Sequence, residues 1–346
     1  MKKISLFSII TIMIMNILSF NASANTININ PVRAGVLLYK ADDYYISEVK
    51  NYLLKIENEN KEKIDFIFFD ANGNQELQNK QIDELIDMKV DLILLNIVDI
   101  NQSDPIINKI RENNIPVIFF NREPSSLNGI KSYSKSLYIG TEACDSGKIQ
   151  GEMIINELKS SNIKDRNGNG TLDYVLLQGE KDNIEAQLRS ECVIKTINEN
   201  GIKTNEIATE YCNWQQECAK NKIESLLSRY GDNIEVIISN NDDMAIGAVL
   251  ALQEKGYNTG DPNKFISVVG VDGTEEVREM IKKGFMTGTV LQDAEEKAKV
   301  LYRIALNLAQ GKEALQDTDY EFDVTGVGVR IPYNGYIIRN SPNLEI

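Results

Sequence analysis

The sequence predicts an α/β protein made of two doubly wound, parallel-sheet lobes. Short runs rich in β-branched residues alternate with helical patterns along most of the chain. The runs are almost continuously apolar, which is typical of strands buried on both faces, and helices between such strands are typical of parallel crossovers. The runs form two successive series. We therefore expect two sheets, with a cleft between them where ligands collect at the carboxyl ends of the strands.

The predicted elements follow this order along the chain. The strands of the first lobe are predicted at residues 34–39, 64–69, 92–97 and 117–120. A segment that crosses between the lobes is predicted at residues 136–141. The strands of the second lobe are predicted at residues 174–177, 235–239, 266–271 and 287–291. From Tyr320 onward the pattern becomes strand-like without an intervening helix.

The composition excludes several classes of protein. The chain has 346 residues, with 37 Lys and Arg against 51 Asp and Glu, and it contains no histidine. Ser-His-Asp hydrolases, Cys-His proteases and His-ligated zinc enzymes all need an imidazole, so they are excluded. A formal charge of -14 argues against non-specific nucleic-acid binding, which needs basic residues to neutralise phosphates.

The amino terminus has the pattern of an export signal. Lys2 and Lys3 precede an apolar run at residues 4–20, and a small-x-small site then predicts cleavage after Ala24. A membrane anchor is the alternative, because the run approaches spanning length. The first cysteine is Cys144, so no lipid can be attached near the cleavage site. We therefore expect a soluble mature chain in the exported compartment, the periplasm.

The four cysteines would face an oxidising environment after export. They are Cys144, Cys192, Cys212 and Cys218. Four cysteines allow three pairings, and the sequence does not choose among them. Cys212 and Cys218 are close enough along the chain to bridge.

Polar residues follow five of the predicted strands. They occur at residues 40–45, 121–124, 239–242, 270–273 and 291–293. Asp and Asn are preferred helix N-caps, so capping is the stronger interpretation for any single strand end. Five such ends across two lobes nevertheless predict a shared polar cleft.

A loop at residues 165–173 has the spacing of a calcium site. Oxygen-bearing residues occupy positions 1, 3, 5, 7 (through a carbonyl) and 9, and they are Asp165, Asn167, Asn169, Thr171 and Asp173. Gly170 permits the sharp turn, but Leu176 stands where a bidentate Glu is usual. A distant residue must therefore complete the site. The alternative is an Asn- and Gly-rich surface turn.

The chain resembles the periplasmic galactose/glucose-binding proteins, a branch of the type I sugar-binding proteins of ABC importers. The resemblance rests on residues 39–43, 117–124, 240–242 and 270–272 and on the calcium loop, and it runs from about residue 34 to residue 332. It implies the type I periplasmic binding protein fold, with a three-segment hinge near residues 139–141, 292–293 and 329–331. The implied divisions are a signal at 1–24, a first lobe at 33–139 with 294–329, and a second lobe at 141–291 with 331–346.

The resemblance also implies the site residues. The sugar-binding residues would be Asp43, Tyr45, Asn121, Asn183, Glu185, Arg189, Trp214, Asn241, Asp272 and Gln292. Tyr45 and Trp214 would sandwich the sugar ring, because sugar C–H groups pack on aromatic faces. A structural Ca²⁺ would be held by Asp165, Asn167, Asn169, Thr171, Asp173 and Glu235. The chain departs from the family pattern at Asn183, Glu185 and Gln292.

The implied function is capture of a monosaccharide, glucose or galactose, by hinge closure, and its delivery to the membrane permease subunits of an ABC importer. The protein would be a monomer and not an enzyme, would bind no nucleic acid, and could have a chemoreceptor as a second partner. The alternatives are a binding protein for a pentose or another hexose, and a secreted calcium-dependent enzyme acting on carbohydrate through Asp43, Glu185 and Asp272. A gene regulator shares the two-lobed fold, but the export signal argues against it. Because Asn183 replaces the family's histidine, we expect the ligand affinity to stay constant between about pH 5.5 and 8.

Overall fold

A computed structural model describes residues 30–338 of the chain. The predicted export signal and the last eight residues therefore lie outside the described part. Across residues 30–338, no helix combines the length and the apolar character needed to cross a membrane.

The first half of the chain alternates strands and helices. In order, these elements are β1 (Val32–Leu38), α1 (Tyr44–Glu59), β2 (Ile64–Asp70), α2 (Gln75–Asp87), β3 (Leu92–Leu95), α3 (Ser103–Glu112), β4 (Val117–Phe120), α4 (Asn128–Lys131) and β5 (Ser136–Gly140). Alternate residues of a strand point to opposite faces, as β1 illustrates. Val36 and Leu38 pack with α1, whereas Leu37 packs with α2 on the other side. Both faces of the sheet are therefore covered by helices.

The second half repeats this arrangement. It consists of α5 (Ala143–Lys159), β6 (Leu172–Gln178), α6 (Ile184–Glu199), β7 (Thr204–Tyr211), α7 (Gln216–Tyr230), β8 (Val236–Ser239), α8 (Asp242–Glu254), β9 (Ser267–Asp272), α9 (Glu275–Lys282) and β10 (Gly288–Leu291). The chain then continues through α10 (Ala294–Ala309), β11 (Gly328–Arg330) and β12 (Tyr336–Ile338).

The strands form two six-stranded sheets, as a doubly wound fold requires. The first has the order β11-β5-β4-β3-β1-β2 and the second β12-β10-β9-β8-β6-β7. All pairings between these strands are parallel except that of β12 with β10, which is antiparallel. The predicted α/β class with two parallel-sheet lobes is therefore confirmed, with one antiparallel strand at an edge.

Two predicted elements differ in the structure. Residues 136–141 were expected to cross between the lobes, but Ser136–Gly140 is the fifth strand of the first sheet, and the crossing follows it. The strand β7 was missing from the predicted set. It lies at the edge of the second sheet and is largely half-buried or exposed, so its sequence lacks the apolar run of a central strand.

The chain passes between the two sheets three times. The crossings lie between β5 and α5, between β10 and α10, and between β11 and β12. Helix α10 packs on α1 and on the first sheet, which returns the chain to that side. Three connections place the carboxyl ends of both sheets on either side of one cleft. The predicted domain limits stay predictions in their detail, since residues 339–346 are outside the described part.

The four cysteines form two disulfides. Cys144 on α5 is bonded to Cys192 on α6, so the bond joins two adjacent helices. Cys212 is bonded to Cys218, which closes the short connection between β7 and α7. The structure thus selects one of the three pairings that the sequence left open.

Candidate functional site

The two sheets face each other across a cleft of about 420 Å³, including its opening to solvent. All ten residues predicted to bind sugar line it: Asp43, Tyr45, Asn121, Asn183, Glu185, Arg189, Trp214, Asn241, Asp272 and Gln292. Tyr39 and Arg122 complete the lining. The positions converge, although they are spread over nearly 250 residues of sequence, because they lie in the loops and the N-terminal parts of the helices that follow the carboxyl ends of the strands.

Several of these residues cap helices as well as line the cleft. Asp43 Oδ1 accepts a hydrogen bond from the Ile46 amide at 2.9 Å and so caps α1. Asn241 Oδ1 caps α8, and Asn183 Oδ1 caps α6. Capping and cleft formation were alternatives for each strand end, but here they occur together. The cap fixes the side chain's rotamer and position at the edge of the cleft.

Asn183 has little hydrogen-bonding capacity left after capping. Its Oδ1 accepts from the amides of Glu185 and Ala186 at 2.9 and 3.1 Å, and its Nδ2 donates to Glu180 Oε2 at 3.3 Å. At most one amide hydrogen remains for a ligand. Asn183 lines the cleft, and its predicted role in sugar binding stays a prediction.

Three cleft residues have backbone conformations that L-amino acids rarely adopt. The φ angles of Asn121, Trp214 and Asp272 are 63°, 66° and 132°. Such conformations persist only where the surroundings over-determine them, and they cluster at functional sites. The sharp turns at these strand ends aim the three side chains into the cleft.

Hydrogen bonds cross the cleft from one sheet to the other. The Arg122 guanidinium donates to Glu180 Oε2 at 2.8 Å, and the hydroxyl of Tyr138 donates to Glu185 Oε1 at 3.1 Å. Gln292 Nε2 donates to Asn121 Oδ1 at 3.3 Å. Each bond joins a residue of the first sheet's side to one of the second sheet's side. The structure therefore represents a closed arrangement of the cleft.

Arg189 occupies the centre of the second-lobe wall. It is 6% exposed, and its two Nη atoms donate to the Asn240 carbonyl at 2.6 Å and to Gln292 Oε1 at 3.1 Å. The guanidinium carbon lies 5.8 Å from the centre of the Trp214 ring. These contacts hold the guanidinium plane in place. Its Nε is buried and has no protein partner.

Unpaired polar atoms concentrate in this cleft. Within residues 30–338, six buried side-chain nitrogen or oxygen atoms have no hydrogen-bond partner. Three of them are Tyr45 Oη, Arg189 Nε and Trp214 Nε1, which belong to residues that line the cleft. An unpaired buried polar group costs about 1–3 kcal/mol. A polar ligand in the cleft would remove that cost, so these atoms indicate a binding site.

Burial is the main influence on the pKa values of the carboxyl groups in the cleft. Burial raises the pKa of Asp43, of Glu185 and, well above its usual range, of Asp272. Arg189 lowers the pKa of Glu185 and of Asp272, but this effect is smaller than that of burial. The desolvation of the charged carboxyl groups therefore outweighs their attraction to the arginine.

The aromatic side chains lie on opposite sides of the site. Tyr45 is buried on α1, on the first-sheet side, whereas Trp214 is half-buried in the connection between β7 and α7. A Cβ at Gly179 would lie 2.4 Å from Cζ2 of Trp214. Only glycine at that position lets the indole ring lie against the end of β6. The predicted sandwich of a sugar ring by Tyr45 and Trp214 stays a prediction.

The Cys212–Cys218 disulfide encloses Trp214. The bond closes a connection in which Asn213 and Trp214 have consecutive positive φ angles of 49° and 66°. Asn241 Nδ2 also donates to the Trp214 carbonyl at 3.2 Å. The covalent closure and this hydrogen bond restrict the loop that carries the indole.

Sequence reasoning missed several residues of the site. Tyr39 donates to Asp43 Oδ2 at 2.5 Å, and Arg122 packs over the Tyr39 ring with its guanidinium carbon 4.5 Å from the ring centre. Both lie within segments that carried the family resemblance, so they could have been assigned. Lys297 was also missed, although its Nζ donates to Asn121 Oδ1 at 2.9 Å. Its signal was a lysine on the otherwise apolar face of α10.

The calcium loop is compact and rich in internal hydrogen bonds. Asp165 accepts hydrogen bonds from the amides of Gly168 and Gly170 at 2.6 and 2.9 Å. The side-chain Nδ2 atoms of Asn167 and Asn169 both donate to Asp173 Oδ2 at 2.7 Å. These bonds hold Asp165, Asn167, Asn169 and Asp173 together in one compact loop.

Glu235 lies against this loop from the start of β8. Its two carboxyl oxygens accept from the Arg166 and Asp173 amides at 2.7 and 3.0 Å. Burial raises the pKa of Glu235, and the charges of Asp173 and Asp165 raise it further. A cation would relieve this repulsion, so the donor set fits Ca²⁺. Over residues 30–338, carboxylate, thiol and imidazole groups do not by themselves gather into a metal site, so amide and carbonyl oxygens would have to contribute.

The sequence profile of the periplasmic binding protein domain family matches residues 34–313 of the chain. The chain belongs to this family. Among its relatives, this periplasmic binding protein is 37% identical to the D-galactose/methyl-galactoside binding periplasmic protein of Haemophilus influenzae over 306 residues, which is 88% of each chain. It is 26% identical to a xylitol-binding protein of Mycolicibacterium smegmatis over 85% of this chain and 76% of that protein.

Solved structures show the same fold. An ABC transporter solute binding protein from Bacillus halodurans with bound myo-inositol has a TM-score of 0.73 at 23% identity, over 91% of this periplasmic binding protein and 96% of that chain. The glucose-galactose binding protein GanP from Geobacillus stearothermophilus has a TM-score of 0.70 at 16% identity, over 91% and 99% of the chains. The resemblance predicted from the sequence is confirmed. The family consists of transport proteins and not enzymes, so the carbohydrate-active enzyme is excluded.

Proposed function

We propose that the protein captures a monosaccharide in the cleft and delivers it to the permease subunits of an ABC importer. The observation that carries the proposal is the cleft itself, which combines carboxyl, amide and guanidinium groups with two aromatic side chains and three unpaired buried polar atoms. Carboxyl and amide groups match the donor and acceptor capacity of sugar hydroxyls. Aromatic faces match sugar C–H groups.

We propose D-galactose or D-glucose as the first ligand to test. The relative that shares 37% of its residues is named for D-galactose and methyl-galactoside, which supports this choice. Other relatives and neighbours are named for xylitol or contain myo-inositol, so a pentose, a polyol or another hexose is the second candidate. Glu185 and Gln292 favour that second candidate, since each side chain is one methylene longer than the family's residue and reshapes the cleft.

The mechanism follows from the two-sided cleft. A ligand that contacts both lobes stabilises the closed arrangement and shifts an open-closed equilibrium towards it. The ion pair between Arg122 and Glu180 forms across the cleft and adds to this preference. Closure would then present a defined surface to the importer. A monomeric state and a chemoreceptor as a second partner stay predictions.

The intrinsic fluorescence of Trp214 provides the test, because it is the chain's one tryptophan. We expect D-galactose or D-glucose to change the emission in a saturable way, since the indole lines the cleft. Calorimetry with the same panel of hexoses, pentoses and polyols gives a readout that does not depend on the indole. If no member of the panel binds by either measurement, the sugar-binding proposal fails.

The disulfide around Trp214 gives a second prediction. Replacing Cys212 and Cys218 together by serine should weaken sugar affinity roughly tenfold, because the ligand must then order the loop that the disulfide now restricts. Calorimetry measures the affinity, and a variant with serine at both Cys144 and Cys192, which loses only the other disulfide, provides the matched control. An affinity within a factor of two of the wild type would show that the bond does not position the indole.

We further propose that a structural Ca²⁺ occupies the loop at residues 165–173. Asp165, Asn167, Asn169, Asp173, the Thr171 carbonyl and Glu235 would hold it. The cation would neutralise the repulsion among the three carboxyl groups and tie the loop to the start of β8. Its role would be stabilisation of the second lobe.

A further inference from the structure

Lys297 is buried beside the cleft and is not among the residues that line it. It is 1% exposed and lies on the face of α10 that packs in the apolar core of the first lobe, next to Ala298 and Leu301. Its Nζ donates to Asn121 Oδ1 at 2.9 Å and lies 4.9 Å from the centre of the Tyr45 ring. Lysine is almost never fully buried without a partner, so the contact with Asn121 needs an explanation.

The hydrogen bond from Lys297 determines which hydrogen bonds Asn121 can form with a ligand. Asn121 Oδ1 accepts hydrogen bonds from both Lys297 Nζ and Gln292 Nε2, at 2.9 and 3.3 Å. These two bonds use the acceptor capacity of the amide oxygen and fix which end of the amide is oxygen. The Asn121 side chain can therefore donate hydrogen bonds to a ligand through Nδ2, but it cannot accept one through Oδ1.

The charged groups around Lys297 come from several elements. Glu185 and Arg189 face it from α6, Asp272 faces it from the end of β9, and the Tyr45 ring faces it from α1. Burial lowers the pKa of Lys297 to about 8, whereas the charges of Glu185 and Asp272 act in the opposite direction. The cation also offsets part of the negative charge that the carboxyl groups bring to the cleft.

We propose that Lys297 is a positioning residue for sugar recognition, which holds the Asn121 amide as a donor towards the ligand. The proposal rests on the proposed sugar-binding function. Lys297 does not line the cleft, so it acts through Asn121 and not by direct contact. The protonated form is the active one, because the ammonium group is both the donor to Asn121 and the charge that balances the carboxyl groups.

The first experiment measures sugar affinity by calorimetry in Lys297→Met and in the control Lys299→Met. Lys299 lies on the same helix but is exposed and pairs with Glu295. We expect Lys297→Met to bind the sugar 10- to 30-fold more weakly and the control to match the wild type. Lys297→Gln keeps a hydrogen-bond donor but loses the charge. Its sugar affinity should therefore lie between that of Lys297→Met and that of the wild type. It provides a second variant if Lys297→Met does not fold.

A double-mutant cycle tests whether the effect passes through Asn121. If it does, Lys297→Met should add less than threefold to the loss already caused by Asn121→Ala. The same lysine substitution should keep its full 10- to 30-fold effect in a Trp214→Phe background. Equal effects in both backgrounds would overturn the positioning role.

The pH profile is a readout that a merely structural lysine would not change. Lys297 stays protonated well below its pKa, so its titration should cause no change in the wild-type affinity near pH 6.5. Above about pH 8 the active form is lost, and wild-type affinity should fall by at most tenfold per pH unit. The affinity of Lys297→Met should stay constant above about pH 8. Any change of affinity at acid pH that the carboxyl groups cause should be the same in both proteins. A wild-type profile that stays flat to pH 9.5 would overturn the proposal.

Failure of this proposal differs from failure of the proposed function. If wild-type protein binds no sugar in the panel, sugar binding itself is wrong. If wild-type protein binds and Lys297→Met binds equally well with the same pH profile, only the role of Lys297 is wrong.

Discussion

Replacing Arg189 by methionine will lower sugar affinity roughly 100-fold, or about 3 kcal/mol. The guanidinium is held by the Asn240 carbonyl and by Gln292 Oε1, and its buried Nε has no partner within the protein. A ligand oxygen that accepts from Nε gains a charge-assisted hydrogen bond without new ordering of the side chain. Methionine keeps much of the side chain's length but loses every donor. Calorimetry with the sugar that binds the wild type measures the effect.

Two further variants make this test specific. Arg303 is an exposed arginine on α10, so Arg303→Met should leave the affinity unchanged. Arg189→Lys should recover only part of the loss, because a single ammonium cannot reproduce the donors of a guanidinium plane. Circular dichroism checks that Arg189→Met is folded. Binding by a folded Arg189→Met within threefold of the wild type would remove Arg189 from the recognition site.

Saturating calcium will raise the melting temperature of the wild-type protein by roughly 10 °C relative to chelator, and Glu235→Gln will lose most of this shift. Binding at about 1,000 times Kd stabilises a folded protein by about 4 kcal/mol. For domains of this size, each kcal/mol corresponds to roughly 2–4 °C. Calorimetric melting in calcium and in chelator gives the shift for each variant. Glu235→Gln removes a carboxyl charge next to Asp165 and Asp173.

The calcium-dependent shift is the quantity to compare, because Glu235 also accepts two backbone hydrogen bonds that do not depend on metal. Its replacement therefore lowers the melting temperature in chelator as well. Thr171→Ala is the matched control: it removes the hydroxyl that donates to Asn169 Oδ1 and leaves the Thr171 carbonyl in place. This control should keep the calcium shift. Equal melting of the wild type in calcium and in chelator would rule out the structural metal.

The strand ends were predictable because parallel sheets impose a simple rule. A buried apolar run marks a strand, and the polar residues that follow it must lie at the cleft edge of the sheet. Asp43, Asn241 and Asp272 were found in this way, with the family resemblance adding their roles. The edge strand β7 was not found, because its half-exposed sequence, TNEIATEY, lacks that apolar run.

Side-chain contacts between elements that are distant along the chain could not be predicted from the sequence. The spacing of the apolar residues places Lys297 on the buried face of α10, but the sequence does not show which residue it contacts. Its burial depends on the packing of α10 against α1 and on the position of Asn121, more than 170 residues away. The predicted pH-independence between about pH 5.5 and 8 stays a prediction, and a buried lysine can limit it on the alkaline side. Burial moves a lysine pKa to about 8, so an imidazole is not needed for titration near neutral pH.

The positive φ angles at Asn121, Trp214 and Asp272 also set a limit on how this protein can be stabilised. Glycine is the residue that best tolerates such a backbone, so a glycine would relieve the strain at each of these positions. At these three positions the side chains that strain the backbone are the ones that face the ligand. Thermal robustness and recognition therefore oppose each other at the rim of the cleft. Selection for heat resistance alone would be expected to erode the binding site first.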